Sequence, residues 1–158
     1  MATLMNFAFP TPESTMEFGR ELGRSLRAGD LVLLAGPLGA GKTTLTRGIA
    51  DGLGVGGRVS SPTFVLARVH PAGASGVALV HVDAYRLGGD LSQLDDLDLD
   101  TELERSALVV EWGEGSAERL SDDYLVVRLE RREDDVRMVT LEPHGTWTSR
   151  TPDLRLAG

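Results

Sequence analysis

Leu31-Val32-Leu33-Leu34-Ala35-Gly36-Pro37-Leu38-Gly39-Ala40-Gly41-Lys42-Thr43-Thr44 is the stretch on which the fold turns. Leu31 to Ala35 is a continuous apolar run of strand length, the pattern of a strand buried on both faces of a parallel sheet. Gly36 to Thr43 then fits G-x-x-x-x-G-K-[ST], the phosphate-binding P-loop. From the chain's own Gly, Lys, Ser and Thr frequencies, a chance match arises roughly two times in a thousand such sequences. Thr43 to Leu53 reads as a helix, with Leu45, Ile49 and Leu53 on one face and Gly52 and Gly54 near its end. Strand, glycine loop and helix in this order predict an α/β P-loop NTPase fold with a mostly parallel central sheet flanked by helices.

The loop's chemistry follows from its backbone. Its N–H groups and the helix N-terminus cradle anionic phosphates, and glycines let the backbone approach them closely. Gly39, Ala40, Gly41, Lys42, Thr43 and Thr44 are the candidate nucleotide-binding residues. Lys42 is expected to bridge the β- and γ-phosphates, and the Thr43 hydroxyl to bind Mg²⁺. Lys42 is also the chain's single lysine; fifteen arginines supply every other permanent side-chain cation. A slim ammonium stem threads a narrow loop, whereas a wide guanidinium fork does not.

Composition bounds the rest. At 158 residues and 41% hydrophobic, the chain suits one domain with a real core, expected over residues 1–142. Residues 143–158 lack periodicity and are expected to form a loose tail. With no cysteine there is no disulfide, thiolate metal site or thiol catalysis. Neither a signal peptide nor a membrane span is expected, which points to a cytoplasmic protein. Residues 1–80 carry a net charge of +2 and residues 81–158 a net of −10, giving −8 overall. An acidic domain without a basic stripe should not hold RNA or DNA strongly by itself.

Outward from the loop, Thr11-Pro12-Glu13-Ser14 reads as a helix start, followed by Phe18, Leu22 and Leu26 at helical spacing. Phe64 to Ala67, Val77 to Val82 and Ala107 to Val110 read as strands. Leu91 to Leu103, rich in acids, reads as partly helical with a solvated face. Tyr124 to Leu129 and Val136 to Leu141 alternate around a polar turn and predict an antiparallel hairpin near the C-terminus, at the sheet edge.

Two strand runs end in acids, Val82-Asp83 and Val110-Glu111. Ligands of open α/β sheets lie beyond the carboxyl ends of the strands, so both acids should reach the phosphate crevice. Asp83 and Glu111 are therefore candidate catalytic residues beside Lys42, and candidate metal residues beside Thr43. Spacing leaves open which acid touches Mg²⁺ and which orients water. Ser60-Ser61-Pro62-Thr63 lies where nucleotide-sensing switch loops occur, and a plain turn before a strand is the alternative.

The segments GPLGAGKTTLTRG, SSPTF, HVDAYRL and VVEW, in this order and at these separations, closely resemble the bacterial TsaE (YjeE) family. The resemblance runs from about Pro10 into the 120s. It implies an Mg²⁺-dependent ATPase of tRNA threonylcarbamoyladenosine biosynthesis, slow without its partners. Those partners would be TsaB and TsaD, which transfer a threonylcarbamoyl group to an adenosine next to the anticodon of ANN-reading tRNAs. It further implies Asp83 as catalytic carboxylate, Glu111 as second metal-site acid, Trp112 as the neighbouring aromatic and Thr63 as part of the switch. Pro10 to Pro12, with Thr11 as candidate nucleotide contact, matches the family stretch near the adenine. One departure is plain: the family's loop usually begins Gly-Asp-Leu-Gly, and here Pro37 replaces the acid.

A small-molecule kinase of the P-loop fold is the alternative, with Arg131 and Arg132 read as lid arginines. A guanine-nucleotide switch would need a second lysine in its base-reading motif, and the chain has none.

Overall fold

In the computed structural model, residues 4–37, 40–55, 67–73, 75–83, 103–111 and 121–150 are described, with residues 67, 68 and 83 described by backbone alone. Strand β2 (Leu31–Ala35) and helix α2 (Lys42–Leu53) bracket the glycine loop as the sequence predicts. Around them lie β1 (Met5–Phe9), α1 (Pro12–Ser25), β3 (Ala67–His70), β4 (Ala78–Asp83), β5 (Ser106–Glu111), β6 (Tyr124–Arg131), β7 (Arg137–His144) and the short helix α3 (Trp147–Arg150). The seven strands form one sheet in the order β1-β7-β6-β2-β5-β4-β3. β6, β2, β5 and β4 run parallel through its centre, and β1, β7 and β3 add antiparallel margins.

Alternation along the strands sorts the apolar side chains onto two faces. Val32, Leu34, Leu79, Val109, Leu125 and Val127 form one core with Phe18 and Leu22 of α1 and Leu45, Ile49 and Leu53 of α2. Leu31, Leu33, Val80, Val82, Leu108 and Val110, of opposite parity, are equally buried. The unbroken apolar runs in β2 and β5 have this origin.

α1 and α2 pack backbone against backbone. A Cβ at Gly19 would lie 2.6 Å from the Leu45 carbonyl oxygen, and one at Gly48 would lie 2.3 Å from that of Met16. Gly19 and Gly23 on α1 face Gly48 and Gly52 on α2 at one-turn spacing, so only glycine permits this approach. Thr11 starts α1 with a reciprocal capping box: its hydroxyl accepts from the Ser14 N–H and the Ser14 hydroxyl accepts from the Thr11 N–H, each at 3.1 Å.

The structure departs from expectation in three places. The β6–β7 hairpin forms but is not the sheet edge, because β1 pairs along β7 with Met5 opposite Leu141 and Phe9 opposite Arg137. The loose tail expected from residue 143 onward does not begin there. β7 runs to His144, Trp147 is 1% exposed, and Arg150 donates to both Asp30 carboxylate oxygens at 2.7 and 2.8 Å. Burial of an indole and a nearly buried ion pair hold a segment that has no periodicity of its own. Strand β3 occupies 67–70, while residues 64–66 of the expected strand lie outside the described residues, as do the expected helix through residue 102 and residues 151–158.

Candidate functional site

The site begins where β2 ends. Gly36 has φ of +148°, and a Cβ there would lie 2.4 Å from the Leu129 carbonyl oxygen of β6, so the chain turns out of the sheet against its neighbour. Gly41 caps α2 with φ of +107° and supplies no side-chain cap. The first amides of α2 therefore have no capping side chain, which is the arrangement that receives an anion at a helix N-terminus. The Ala40 N–H donates to the Pro37 carbonyl at 3.2 Å, and the Ala40 side chain is fully buried. Pro37 thus closes the loop through its carbonyl, the one backbone hydrogen-bonding group that proline keeps.

Lys42, at the first position of α2, is 6% exposed. Its ammonium donates to the Gly36 carbonyl at 2.7 Å, which curls the side chain back across the loop. The positive charge therefore sits with the loop's backbone and not out in solvent. Thr43 and Thr44 follow in the first turn, both half-buried.

Glu111 enters from the neighbouring strand. Its ladder partner on β2 is Leu34, two residues before Gly36, and parity puts both on the face that α1 and α2 cover. Glu111 is 5% exposed, and its Oε2 lies 2.9 Å from Nε2 of the fully buried His81. Asp83 pairs with Glu111 in the ladder, so the backbone brings both strand-end acids to the same end of the sheet. Thr43 and Glu111 offer only oxygen donors, as Asp83 would, a donor set that fits a hard cation such as Mg²⁺.

Beside the loop opens a cavity of about 240 Å³ lined by Pro10, Pro12, Thr15, Gly41, Thr44, Arg131, Asp135 and Arg137. One wall is the stretch around Thr11, whose hydroxyl is occupied in capping α1. The other is the β6–β7 turn. Arg131 Nε donates to Asp135 at 2.8 Å and Arg137 Nη1 to the Asp135 carbonyl at 2.9 Å, while Asp135 itself adopts φ of +65°. Sequence reasoning named Arg131 only as a lid arginine of the kinase alternative and missed Asp135 and Arg137 as part of the site. Their signal was three arginines flanking one hairpin turn, and it gains meaning only once β6 is known to lie beside β2.

The chain matches the family model for threonylcarbamoyl adenosine biosynthesis protein TsaE over residues 9–139. It belongs to the TsaE family. It is 60% identical over 129 residues to the tRNA threonylcarbamoyladenosine biosynthesis protein TsaE of Streptomyces coelicolor, covering 79% of this chain and 87% of that one. The Mycobacterium tuberculosis protein of the same name is 56% identical over 138 residues, covering 83% and 82%. The crystal structure of Bacillus subtilis YdiB superposes with a TM-score of 0.80 at 28% identity, covering 97% of this chain and 94% of that chain. The family resemblance carried by the four sequence segments and the expected P-loop α/β fold are both borne out.

Gly39 of the TsaE loop, the stretch around Ser61 to Thr63, and Tyr85, Arg86 and Trp112 lie outside the described residues, as does the Asp83 side chain. No helix among the described residues is long and apolar enough to cross a membrane.

Proposed function

We propose that this chain is the ATP-binding and ATP-hydrolysing component of the cytoplasmic machinery that makes N6-threonylcarbamoyladenosine in ANN-decoding tRNAs. The observation that carries the proposal is the Lys42 ammonium held against the Gly36 carbonyl at the uncapped start of α2, with the buried Glu111 carboxylate on the adjacent strand. The loop's N–H groups receive the phosphates, and Lys42 exchanges its carbonyl partner for phosphate oxygens. Thr43 and Glu111, with Asp83, would hold Mg²⁺ and orient the attacking water. When bound, the ion neutralises charge on the phosphates. The nucleoside occupies the cavity between Pro10 and Pro12 on one side and Arg131 and Arg137 on the other, where proline rings and guanidinium planes suit a flat base.

TsaB and TsaD are the partners, and tRNA is engaged only through them. A net charge of −8, from 24 acidic against 16 basic side chains, opposes binding of the isolated chain to a nucleic-acid backbone. The test is ATP hydrolysis by the chain alone and then with both partners, alongside tRNA binding over a salt series. Slow hydrolysis alone, faster hydrolysis with the partners and weak tRNA binding are expected. Tight tRNA binding by the isolated chain, together with indifference to the partners, would overturn the proposal. Transfer of phosphate to a small acceptor instead of water would favour a kinase.

A further inference from the structure

Strand β4 reads Ala78-Leu79-Val80-His81-Val82-Asp83, and His81 interrupts an otherwise apolar interior. His81 is fully buried and shares its sheet face with Leu79 and, across the ladder, with Val109. Its Nε2 meets Glu111 Oε2 at 2.9 Å, and its Nδ1 is buried with no partner among the described residues. A carboxylate can only accept, so Nε2 carries the hydrogen. A ring with half of its hydrogen-bonding capacity unmet at zero exposure lowers stability relative to an apolar residue of similar size. Local rules broken in this way, without a compensating gain in the fold, mark residues kept for function.

We infer that His81 is the positioning residue of the metal-site carboxylate: it anchors Glu111 Oε2 and leaves Oε1 to serve the cation. This rests on the assignment of Glu111 to the Mg²⁺ site. A free glutamate side chain has three rotatable bonds and gives up considerable rotamer freedom on binding. The imidazole, locked in the core of β4, removes that freedom in advance. Among the described residues no other side chain bonds Glu111, so the orientation of the carboxylate depends on this one contact. Groups in this outer position typically change metal affinity or activity about 10- to 100-fold when removed.

The test measures affinity for a fluorescent ATP analogue with excess EDTA and with excess Mg²⁺; the ratio is the metal-dependent gain. The full chain is compared with His81→Leu, His81→Gln, His81→Asn and Glu111→Gln, with melting temperatures recorded for each. His81→Leu fills the space without a donor. His81→Gln places an amide N–H₂ near the Nε2 position, whereas His81→Asn reaches only as far as Nδ1. We expect His81→Leu and His81→Asn to lose about tenfold or more of the gain, with EDTA affinity unchanged, and His81→Gln to keep most of it. In turnover, the loss should appear as a raised Mg²⁺ requirement, a raised KM for ATP even at saturating Mg²⁺, and a lowered kcat.

Full gain in His81→Leu, or equal behaviour of the Gln and Asn variants, overturns the inference. If His81→Leu does not fold, the contrast between Gln and Asn decides. Loss of the gain in Glu111→Gln but not in His81→Leu leaves the metal site standing and removes His81 from it. Full gain in Glu111→Gln, or no gain in the parent chain, removes the metal-site assignment and this inference with it.

Discussion

Gly48→Ala should lower stability, although the same change in an exposed helix would raise it. Alanine is favoured over glycine in a helix interior by about 1 kcal/mol. At position 48 the added Cβ would stand 2.3 Å from the Met16 carbonyl oxygen and 3.0 Å from Gly19 Cα. Carbon and carbonyl oxygen settle at about 3.3 Å or more, so α1 and α2 must separate by roughly 1 Å. Both neighbours are backbone atoms, and no rotamer change can make room. Overpacking of this kind costs about 1–3 kcal/mol, and backbone contact on both sides places it at the upper end. Subtracting the propensity gain leaves about 2 kcal/mol of destabilisation, or a melting temperature about 4–8 °C lower for a chain of this size. Because α2 begins at Lys42, displacement of the helix should also weaken ATP binding. Thermal unfolding by circular dichroism, with urea titration as a second measure, reads the stability. An unchanged or raised melting temperature would refute the close-packed account of the two helices.

Three further outcomes are expected. Lys42→Ala should retain the fold by circular dichroism and lose ATP binding or turnover, and Lys42→Arg should also be impaired because the fork does not fit the loop; normal hydrolysis by the folded alanine variant would contradict the loop assignment. Asp83→Asn and Glu111→Gln should each reduce Mg²⁺-dependent turnover by roughly a hundredfold or more, with smaller changes in nucleotide affinity, as read by phosphate release and equilibrium binding. Trp147→Ala should destabilise by about 3–5 kcal/mol in urea titration, since it empties a buried indole site; a change below about 1 kcal/mol would return this segment to the status of a loose tail.

What could be read from the sequence was what is decided locally. Five apolar residues, a glycine loop and a helical stripe fix β2, the loop and α2 without reference to the remainder of the chain. β1 escaped notice although Met5, Phe7 and Phe9 alternate, because its ladder partner among the described residues, β7, lies far along the chain and no turn announces the pairing. α3 was missed for a similar reason: Trp147 is buried and Arg150, 3.8 Å over its ring, reaches Asp30, and none of this has a period. Asp83 and Glu111 were legible as strand-end acids because the end of a strand is a local property. The meeting of His81 with Glu111 was not, since it requires knowing that β4 and β5 are neighbours and in which register. From the sequence, Arg131 and Arg132 had a place only as lid arginines of the kinase alternative; the position of this turn beside the loop needs β6 placed next to β2.

The placement of β1 has a consequence for the order of events during synthesis. Among the described strands, the first in the chain pairs only with the last, Met5 lying opposite Leu141. A ribosome adding about 5–20 residues per second takes roughly 7–30 s to traverse that interval. Through it Phe7 and Phe9, which stack on each other at 6.1 Å in the finished protein, have no sheet to join. The loop, α2 and the central parallel strands can be in place earlier, but the margin of the sheet closes only after β7 emerges. The nascent chain therefore presents an unpaired aromatic strand throughout that interval, which is where a ribosome-associated chaperone would be expected to act.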